Sequence, residues 1–264
     1  MNKKIIILIL SITLIFLVGC KNDTQKQTIA SSNSTIETPY TTIMPTPTKT
    51  SEVENKPIIT SEEYKNDNIA YNMTVIMSVP QVEGLVNKNV QDKINERLKS
   101  FANELKDEFE SWAKEDYESL SKGDKPWPHS FDLWYDTRTI NKDVLSITIT
   151  NSEYMGGAHG ITNTYGFTFS LNSGKEYILS DLFENNYDYV VEINKEIFDN
   201  NKEFKGYMDD YQYIIEDFSG IEVNAKYYIK DDKIVIFYNP YDIAAYSMGY
   251  LEFYLSDNIK FNIE

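Results

Sequence analysis

The chain has 264 residues, of which 41% are hydrophobic and 14% are aromatic, so it can bury a substantial core in one or two domains. Its single cysteine excludes an internal disulfide framework and a cysteine-rich metal site, and its two histidines, far apart in sequence, argue against a histidine zinc site. The net charge of −16 argues against nucleic acid as a partner. We expect no cofactor and no metal ion.

Residues 1–20 have the layout of a secretory signal peptide. Two lysines precede an apolar run, Ile5–Val18, which is too short to cross a hydrocarbon core of about 30 Å comfortably. The run ends in Leu17-Val18-Gly19-Cys20, which resembles the bacterial lipobox, where cleavage leaves the cysteine as the lipid-bearing N-terminus. We predict that lipidated Cys20 anchors the protein to the outer face of the bacterial cytoplasmic membrane. The alternative is an ordinary signal peptide with a chance cysteine.

Residues 21–60 are rich in Thr, Ser, Asn, Gln and Pro and have no apolar periodicity, so we predict a disordered tether. Residues 1–20 carry two basic groups, and residues 21–60 contain equal numbers of acidic and basic groups. Subtracting both from the total of −16 leaves −18 on residues 61–264. A field of this sign favours a cationic partner; the alternative is that the charge serves solubility alone.

Residues 61–264 are predicted to form an α+β fold: two strand-helix-strand units with mainly antiparallel sheets and one long amphipathic helix. The first predicted strand is Ile69–Val79, closed by Pro80. A helix of about eight turns follows, capped by Asn87 or Asn89, because apolar residues recur at spacings of three and four. The predicted apolar stripe consists of Val86, Val90, Ile94, Leu98, Phe101, Leu105, Phe109 and Trp112.

Three segments after this helix alternate between apolar and polar residues, which predicts neighbouring antiparallel strands. They are Phe131–Tyr135, Leu145–Thr150 and Tyr165–Leu171, with turns at Asn141-Lys142 and at Asn172–Gly174. A shorter helix is predicted around Tyr189–Phe198, and the acidic stretch Tyr207–Tyr213 is predicted to be the aromatic face of a small helix. The last predicted strands are Ala225–Lys230, Lys233–Tyr238 and Tyr250–Leu255, with a tail at Ile259–Ile263.

The segment Gly156–Gly160 joins the second and third of these antiparallel strands, and three of its five residues are glycine. Glycine permits unusual backbone angles and a close approach to the backbone, so His159 lies on an unusual loop. In one interpretation His159 is exposed for binding or proton transfer; in the other, its imidazole ties the loop to nearby carbonyls. The candidate ligand-binding residues here are Tyr154, Gly156, Gly157 and His159.

Four segments, taken in order, resemble landmarks of a pair of extracellular domains. They are Tyr154–Gly160, Phe167–Phe169 with Gly174, Leu179–Phe183 and Asn239–Gly249. The pair, domains of unknown function 4163 and 3298, occurs in RsiV-type anti-sigma-factor ectodomains and in the N-terminal part of PdaC-type peptidoglycan deacetylases. The resemblance covers about residues 64–256. It implies a PdaC-like domain at 61–165 and an RsiV-like domain at 166–264.

The resemblance implies recognition at the cell wall, and in the anti-sigma-factor branch the recognised partner is lysozyme. We expect the fold to bring the glycine loop against Asn239–Gly249, which adds Tyr241 and Tyr246 to the ligand-binding candidates. A deacetylase domain would need a metal site made from one Asp and two His, and His129 and His159 are the only histidines. We therefore predict no catalytic residues and no enzyme activity.

The predicted function is that of a membrane-anchored surface lipoprotein. Its acidic module is expected to bind a cell-wall component, such as peptidoglycan glycan, or a cationic protein such as lysozyme. The alternative is a cell-wall glycan hydrolase that uses paired carboxylates, which would need two carboxyl groups in one cleft with separated pKa values.

The lipobox generates the first testable prediction. Replacing the thiol in Cys20→Ala should prevent lipid attachment and normal signal processing, because the acyl chains are attached to this sulfur. Metabolic labelling with a fatty acid followed by detergent phase partitioning measures the result. An unchanged lipid label on the variant would show that the anchor lies elsewhere.

Overall fold

A computed structural model describes residues 57–199 and 218–263, which belong to one compact unit. The strands are β1 (Ile58–Asn68), β2 (Met73–Glu83), β3 (His129–Ile140), β4 (Val144–Tyr154), β5 (Ile161–Ser170), β6 (Tyr227–Lys230), β7 (Lys233–Tyr238) and β8 (Leu251–Tyr254). The helices are α1 (Lys88–Ser119) and α2 (Tyr189–Asp199). The predicted α+β class is confirmed. The predictions for Cys20, for the tether up to residue 56 and for Tyr207–Tyr213 concern residues outside the described ranges.

The first sheet has five strands in the order β1-β2-β3-β4-β5. The pairs β1–β2, β3–β4 and β4–β5 are antiparallel, as predicted for the last three strands. β2 and β3 pair in parallel over Met73–Met77, because α1 returns the chain to the same end of the sheet. β2 continues through Pro80, beyond the end of its parallel pairing with β3. There β2 has β1 as its only neighbour, so the N–H donor that proline lacks is not needed on the other side.

Helix α1 covers one face of the first sheet with an apolar stripe. The side chain of Asn87 accepts hydrogen bonds from the backbone N–H groups of residues 89 and 90, so Asn87 is the N-cap. The predicted stripe is buried at Val90, Ile94, Leu98 and Phe109, together with Ala102 and Ala113. The prediction is wrong at both ends of the stripe, because Val86 precedes the helix and is 95% exposed, and Trp112 is 58% exposed.

The strand predicted at Ile69–Val79 is shifted in the structure, and β1 was missed. Ile69 is 94% exposed in the turn before β2, where Asn72 has a φ of 50°. β1 lies at the sheet edge, and most of its residues are exposed or half-buried, so it carries no apolar alternation that periodicity could detect. Strand β1 therefore includes the last three residues of the predicted tether, 58–60.

The second sheet has the order β6-β7-β8 and is antiparallel. The predicted turn at Asp231-Asp232 has φ values of 51° and 57°, which are typical of a tight hairpin. Apolar side chains on one face of this sheet pack against Ile193 and Ile197 of α2. The tail after residue 258 forms no strand in the described region, although Ile259 is buried.

Strand β6 lies directly on the second face of the first sheet. The Ser146 hydroxyl accepts a hydrogen bond from Ile229 N at 2.8 Å, and the Thr139 hydroxyl donates to Ile229 O at 2.9 Å. A Cβ atom at Gly166 would lie 2.0 Å from Tyr227 O, so only glycine permits this approach. Side-chain hydroxyls thus provide hydrogen-bond partners for the backbone N–H and C=O of Ile229 in β6, an edge strand of the second sheet.

The predicted boundary between residues 165 and 166 falls inside β5, whose whole length pairs with β4. Within residues 57–199 and 218–263, no helix combines the length and the hydropathy needed to cross a bilayer.

Candidate functional site

Near the start of β5, its free edge is covered by a side chain of the second region. Asn239, which is 4% exposed, accepts a hydrogen bond from Thr164 N at 2.8 Å and donates to Thr164 O at 3.1 Å. The amide therefore pairs with β5 as the backbone of a neighbouring strand would. This pair brings the segment after β7 against the end of β5 that follows the glycine loop.

A tight turn begins at Asn239 and places Tyr241 on the surface. Asp242 N donates to Asn239 O at 3.0 Å, and Asn239 N donates to the Asp242 carboxylate at 2.8 Å. Pro240 at the second position and a φ of 73° for Tyr241 at the third are features of a type II turn. That third position normally holds glycine, because a side chain is strained at positive φ. Tyr241 is nevertheless present and is 57% exposed.

The glycine loop, Gly156–Gly160, contains two residues with a backbone conformation that favours glycine. Gly156 and Gly157 have φ values of 92° and 91°. A Cβ atom at Gly156 would lie 3.2 Å from Cγ of Trp127, whose side chain packs on this part of the loop and is 62% exposed. The Tyr154 hydroxyl donates to Gly157 O at 3.0 Å. Trp127 and Tyr154 therefore hold the loop in place.

Three aromatic side chains from the two segments lie in contact, and we call them the aromatic column: His159, Tyr246 and Tyr241. The rings of His159 and Tyr246 are stacked, with centroids 4.2 Å apart and planes inclined by 19°. The Tyr241 ring lies 5.4 Å from that of Tyr246. The Tyr246 hydroxyl donates to Gly160 O at 3.1 Å, which fixes the contact between the segments.

The expectation that the glycine loop meets Asn239–Gly249 therefore agrees with the geometry. His159 satisfies parts of both interpretations: its Nδ1 donates to Gly160 O at 2.8 Å, and the residue is exposed. Tyr154 and the glycines shape the loop, whereas the aromatic column presents ring surface to solvent. The ligand-binding role of these residues stays a prediction.

Carboxylates lie near the same edge of the sheet. Burial and then the charge of Glu108 raise the pKa of Glu153, although a hydrogen bond from Asn151 lowers it. The pKa of Tyr165 is also raised, by burial first and then by the charges of Glu153, Glu108 and Asp242. In the described part of the chain, neither Glu108 nor Glu153 forms an ion pair. The electrostatic potential here is negative.

The other histidine is not part of this site. His129 is buried at the start of β3, and its Nε2 lies 3.5 Å from Oδ2 of Asp116 on α1. Among the described residues, no group of three or more His, Cys, Asp and Glu side chains is arranged to hold a metal ion.

Several residues of this site were missed by sequence reasoning. Trp127 was not among the candidate residues, and Glu153 was one of many acidic residues without a distinguishing pattern. Asn239 had a usable signal, because Asn before Pro commonly begins a turn. Its pairing with Thr164, 75 positions earlier, depends on the tertiary fold.

Two family models match the chain. The family described as Deacetylase PdaC matches residues 62–162, and the family described as Protein of unknown function (DUF3298) matches residues 180–257. The chain is therefore similar to the first family over residues 62–162 and, after them, to the second family over residues 180–257. This order confirms the predicted resemblance, although the designation 4163 for the first region stays a prediction. The two regions indicate a cell-envelope protein, and the word deacetylase in a family description assigns no activity to this chain.

Solved structures share the fold. A member of the DUF3298 family from Bacteroides fragilis has 17% sequence identity and a TM-score of 0.60, with 80% of this chain and 96% of that chain covered. A DUF3298 family protein from Pseudomonas aeruginosa has 12% identity and a TM-score of 0.50, with 78% and 97% covered. At these identities the likeness concerns the fold alone. No curated protein shows significant sequence similarity to the chain.

The raised pKa of Glu153 generates a stability prediction with a defined sign. The folded state binds the proton more tightly than the unfolded state, whose pKa is near the ordinary value of 4.5. Stability is therefore lost as the pH rises from 4.5 through the raised pKa, and the loss is complete above it. Glu153→Gln should raise the melting temperature at neutral pH and have little effect below about pH 4, where both states are protonated.

Thermal unfolding followed by circular dichroism at both pH values measures this difference. Glu184→Gln, at an exposed position, is the matched control and should change neither curve. An equal effect of Glu153→Gln at both pH values would mean that the change acts through packing and not through ionisation.

Proposed function

We propose that the protein is a lipid-anchored recognition module that captures a cationic protein of the lysozyme type on the aromatic column. The observation that carries this proposal is the exposed column, formed by two chain segments. The carboxylates of Glu153 and Glu108, which form no ion pair in the described region, act on Tyr165, the residue after the Thr164 that Asn239 binds. Aromatic side chains supply much of the binding energy in protein interfaces, and opposite charge around them guides the approach of the partner.

The strained conformation of Tyr241 supports a role in binding. Glycine at a φ of 73° would avoid a cost of roughly 1–2 kcal/mol, so stability alone would favour glycine here. The ring is more than half exposed and therefore contributes little to the core. A residue that is unfavourable for stability and remote from the core is well explained by contact with a partner.

The charge of the domain supports a cationic partner at longer range. Residues 61–264 carry −18, which follows from the total of −16 and the surplus of two basic groups before them. This field would increase the rate of association with a basic protein and would be screened by salt over about 8 Å at physiological ionic strength. The carboxylates that act on Tyr165 add negative charge at the edge of the sheet near the column.

Anchoring belongs to the same proposal. Cys20 would carry the lipid, and the segment up to residue 56 would connect it to β1 on the outer face of the cytoplasmic membrane. As a flexible coil, these 36 residues would average roughly 33 Å from end to end, which is enough to hold the aromatic column away from lipid headgroups. Cell-wall glycan is the competing ligand for this surface.

The test separates the local contact from the field. Tyr241→Gly should weaken binding of lysozyme by about tenfold or more, mainly through faster dissociation, while leaving the melting temperature unchanged or higher. Raising the salt concentration should slow association of the wild type and of the variant to the same extent. Surface plasmon resonance with the full chain in detergent measures both rate constants.

Trp112→Ala is the matched control, because Trp112 on α1 is also an exposed aromatic residue, at 58%. It should leave both rate constants unchanged. Absence of lysozyme binding by the wild type, or equal losses in the two variants, would refute the proposal. Binding of soluble peptidoglycan fragments that is lost in Tyr241→Gly would assign the column to glycan instead.

Glu153 and Glu108 favour a second candidate, the glycan hydrolase. Such an enzyme needs one carboxyl group with a raised pKa as the acid and a second, ionised carboxylate nearby. Glu153 fits the first role, and Glu108 is close enough to raise its pKa. Release of reducing sugar from peptidoglycan by the wild type, abolished in Glu153→Gln, would establish this activity. No release by the wild type would exclude it.

A further inference from the structure

A cleft of about 550 Å³ lies between the chain that leads into β6 and the chain that leaves β7. Its volume is within the range of about 300–1,000 Å³ that is common for small-molecule sites. The side chains that matter for the argument are Phe218, Glu222, Lys226, Tyr238, Asp242 and Ile243. None of the three rings of the aromatic column lines this cleft.

The apolar part of the cleft is an aromatic wall. Phe218 is 5% exposed, and its ring meets the Tyr238 ring edge to face, with centroids 5.7 Å apart and an interplanar angle of 78°. Ile243 adds an aliphatic surface. Phe218 is too buried to present its ring face to a ligand and instead holds the half-buried Tyr238 ring in place, so Tyr238 offers a rigid surface at little entropic cost.

The polar part offers hydrogen-bond donors and acceptors in fixed positions. Nζ of Lys226 lies 2.6 Å from the Asp242 carboxylate, which also accepts from Asn239 N. Within the described part of the chain, Glu222 forms no ion pair and the Tyr238 hydroxyl makes no hydrogen bond. Burial, followed by the charges of Glu222 and Asp242, raises the pKa of Tyr238, so its hydroxyl stays neutral and can donate or accept.

These groups discriminate among ligand classes. Two carboxylates and one ammonium group give the cleft a net charge of −1, which disfavours phosphate and other anions. A fatty chain would desolvate Glu222 and Lys226 without providing hydrogen bonds, which is costly. A sugar presents hydroxyl groups that both donate and accept, together with an apolar ring face that packs on aromatic side chains.

We propose that this cleft is a carbohydrate-binding site that holds one or two pyranose rings. The ring face packs on Tyr238 and Ile243. The sugar hydroxyls donate to Glu222, accept from Lys226, and exchange hydrogen bonds with the Tyr238 hydroxyl. This site lies entirely in residues 218–243 and does not depend on the function proposed for the aromatic column.

Titration calorimetry with the full chain in detergent tests the site. The probes are the soluble tetramer of N-acetylglucosamine and maltotetraose, and at least one should bind. Tyr238→Phe removes only the hydroxyl and should weaken binding about fivefold, whereas Glu222→Gln removes a charged acceptor and should weaken it about tenfold. Glu184→Gln, an exposed carboxylate outside the cleft, and Tyr241→Gly in the column are controls that should bind like the wild type.

The outcomes separate this site from the column. Failure of both sugars to bind, or binding unaffected by Tyr238→Phe and Glu222→Gln when their melting curves match the wild type, would overturn the proposal. Sugar binding that is lost in Tyr241→Gly but retained in Tyr238→Phe would place the saccharide on the column and would also overturn it. Lysozyme binding by the same variants is measured independently, so failure of one proposal does not imply failure of the other.

Discussion

The hydrogen bonds between Asn239 and Thr164 are the interaction on which the candidate site depends. They join the DUF3298-type region to the edge strand of the PdaC-type sheet, and both partners are buried. Each bond contributes on the order of 1 kcal/mol, but removal of the amide would also leave Thr164 N–H and C=O without partners, at about 1–3 kcal/mol each. The same contact positions Tyr241 and Tyr246 over His159. One side chain therefore protects a sheet edge and assembles the aromatic column.

Two residues at the site lower the stability of the fold, and the hydrophobic core offsets this loss. Tyr241 occupies a conformation suited to glycine, and Glu153 is half-buried without an ion-pair partner in the described residues. The hydrophobic core between α1 and the first sheet offsets these costs, because each fully buried aliphatic or aromatic side chain stabilises the fold by roughly 1.5–3 kcal/mol. Locally unfavourable residues at an exposed site on a well-packed scaffold are typical of binding surfaces.

Sequence reasoning succeeded where the signal is local. α1 and the strands β3 to β5 were predicted because one face of each packs on the apolar core, which imposes a period of 3.6 or 2 on the apolar residues. In β4 the polar face is buried as well, which periodicity does not reveal. β1 failed because an edge strand with polar residues on both faces has no such period. The contact of the glycine loop with Asn239–Gly249 was inferred from the order of family landmarks. Trp127 and Glu153 were missed because their importance comes from neighbours distant in sequence, Gly156 and Glu108.

The two candidate sites differ in what they require of the fold. The cleft is lined only by residues 218–243, so the second region contains all its side chains. The aromatic column requires both regions, because His159 follows β4 of the first sheet and Tyr246 follows β7 of the second. Asp242 connects them: its carboxylate binds Lys226 in the cleft and Asn239 N in the turn that carries Tyr241. The Asp242 carboxylate is therefore shared by the polar part of the cleft and the turn of the column, whereas the rings of the two sites belong to different residues.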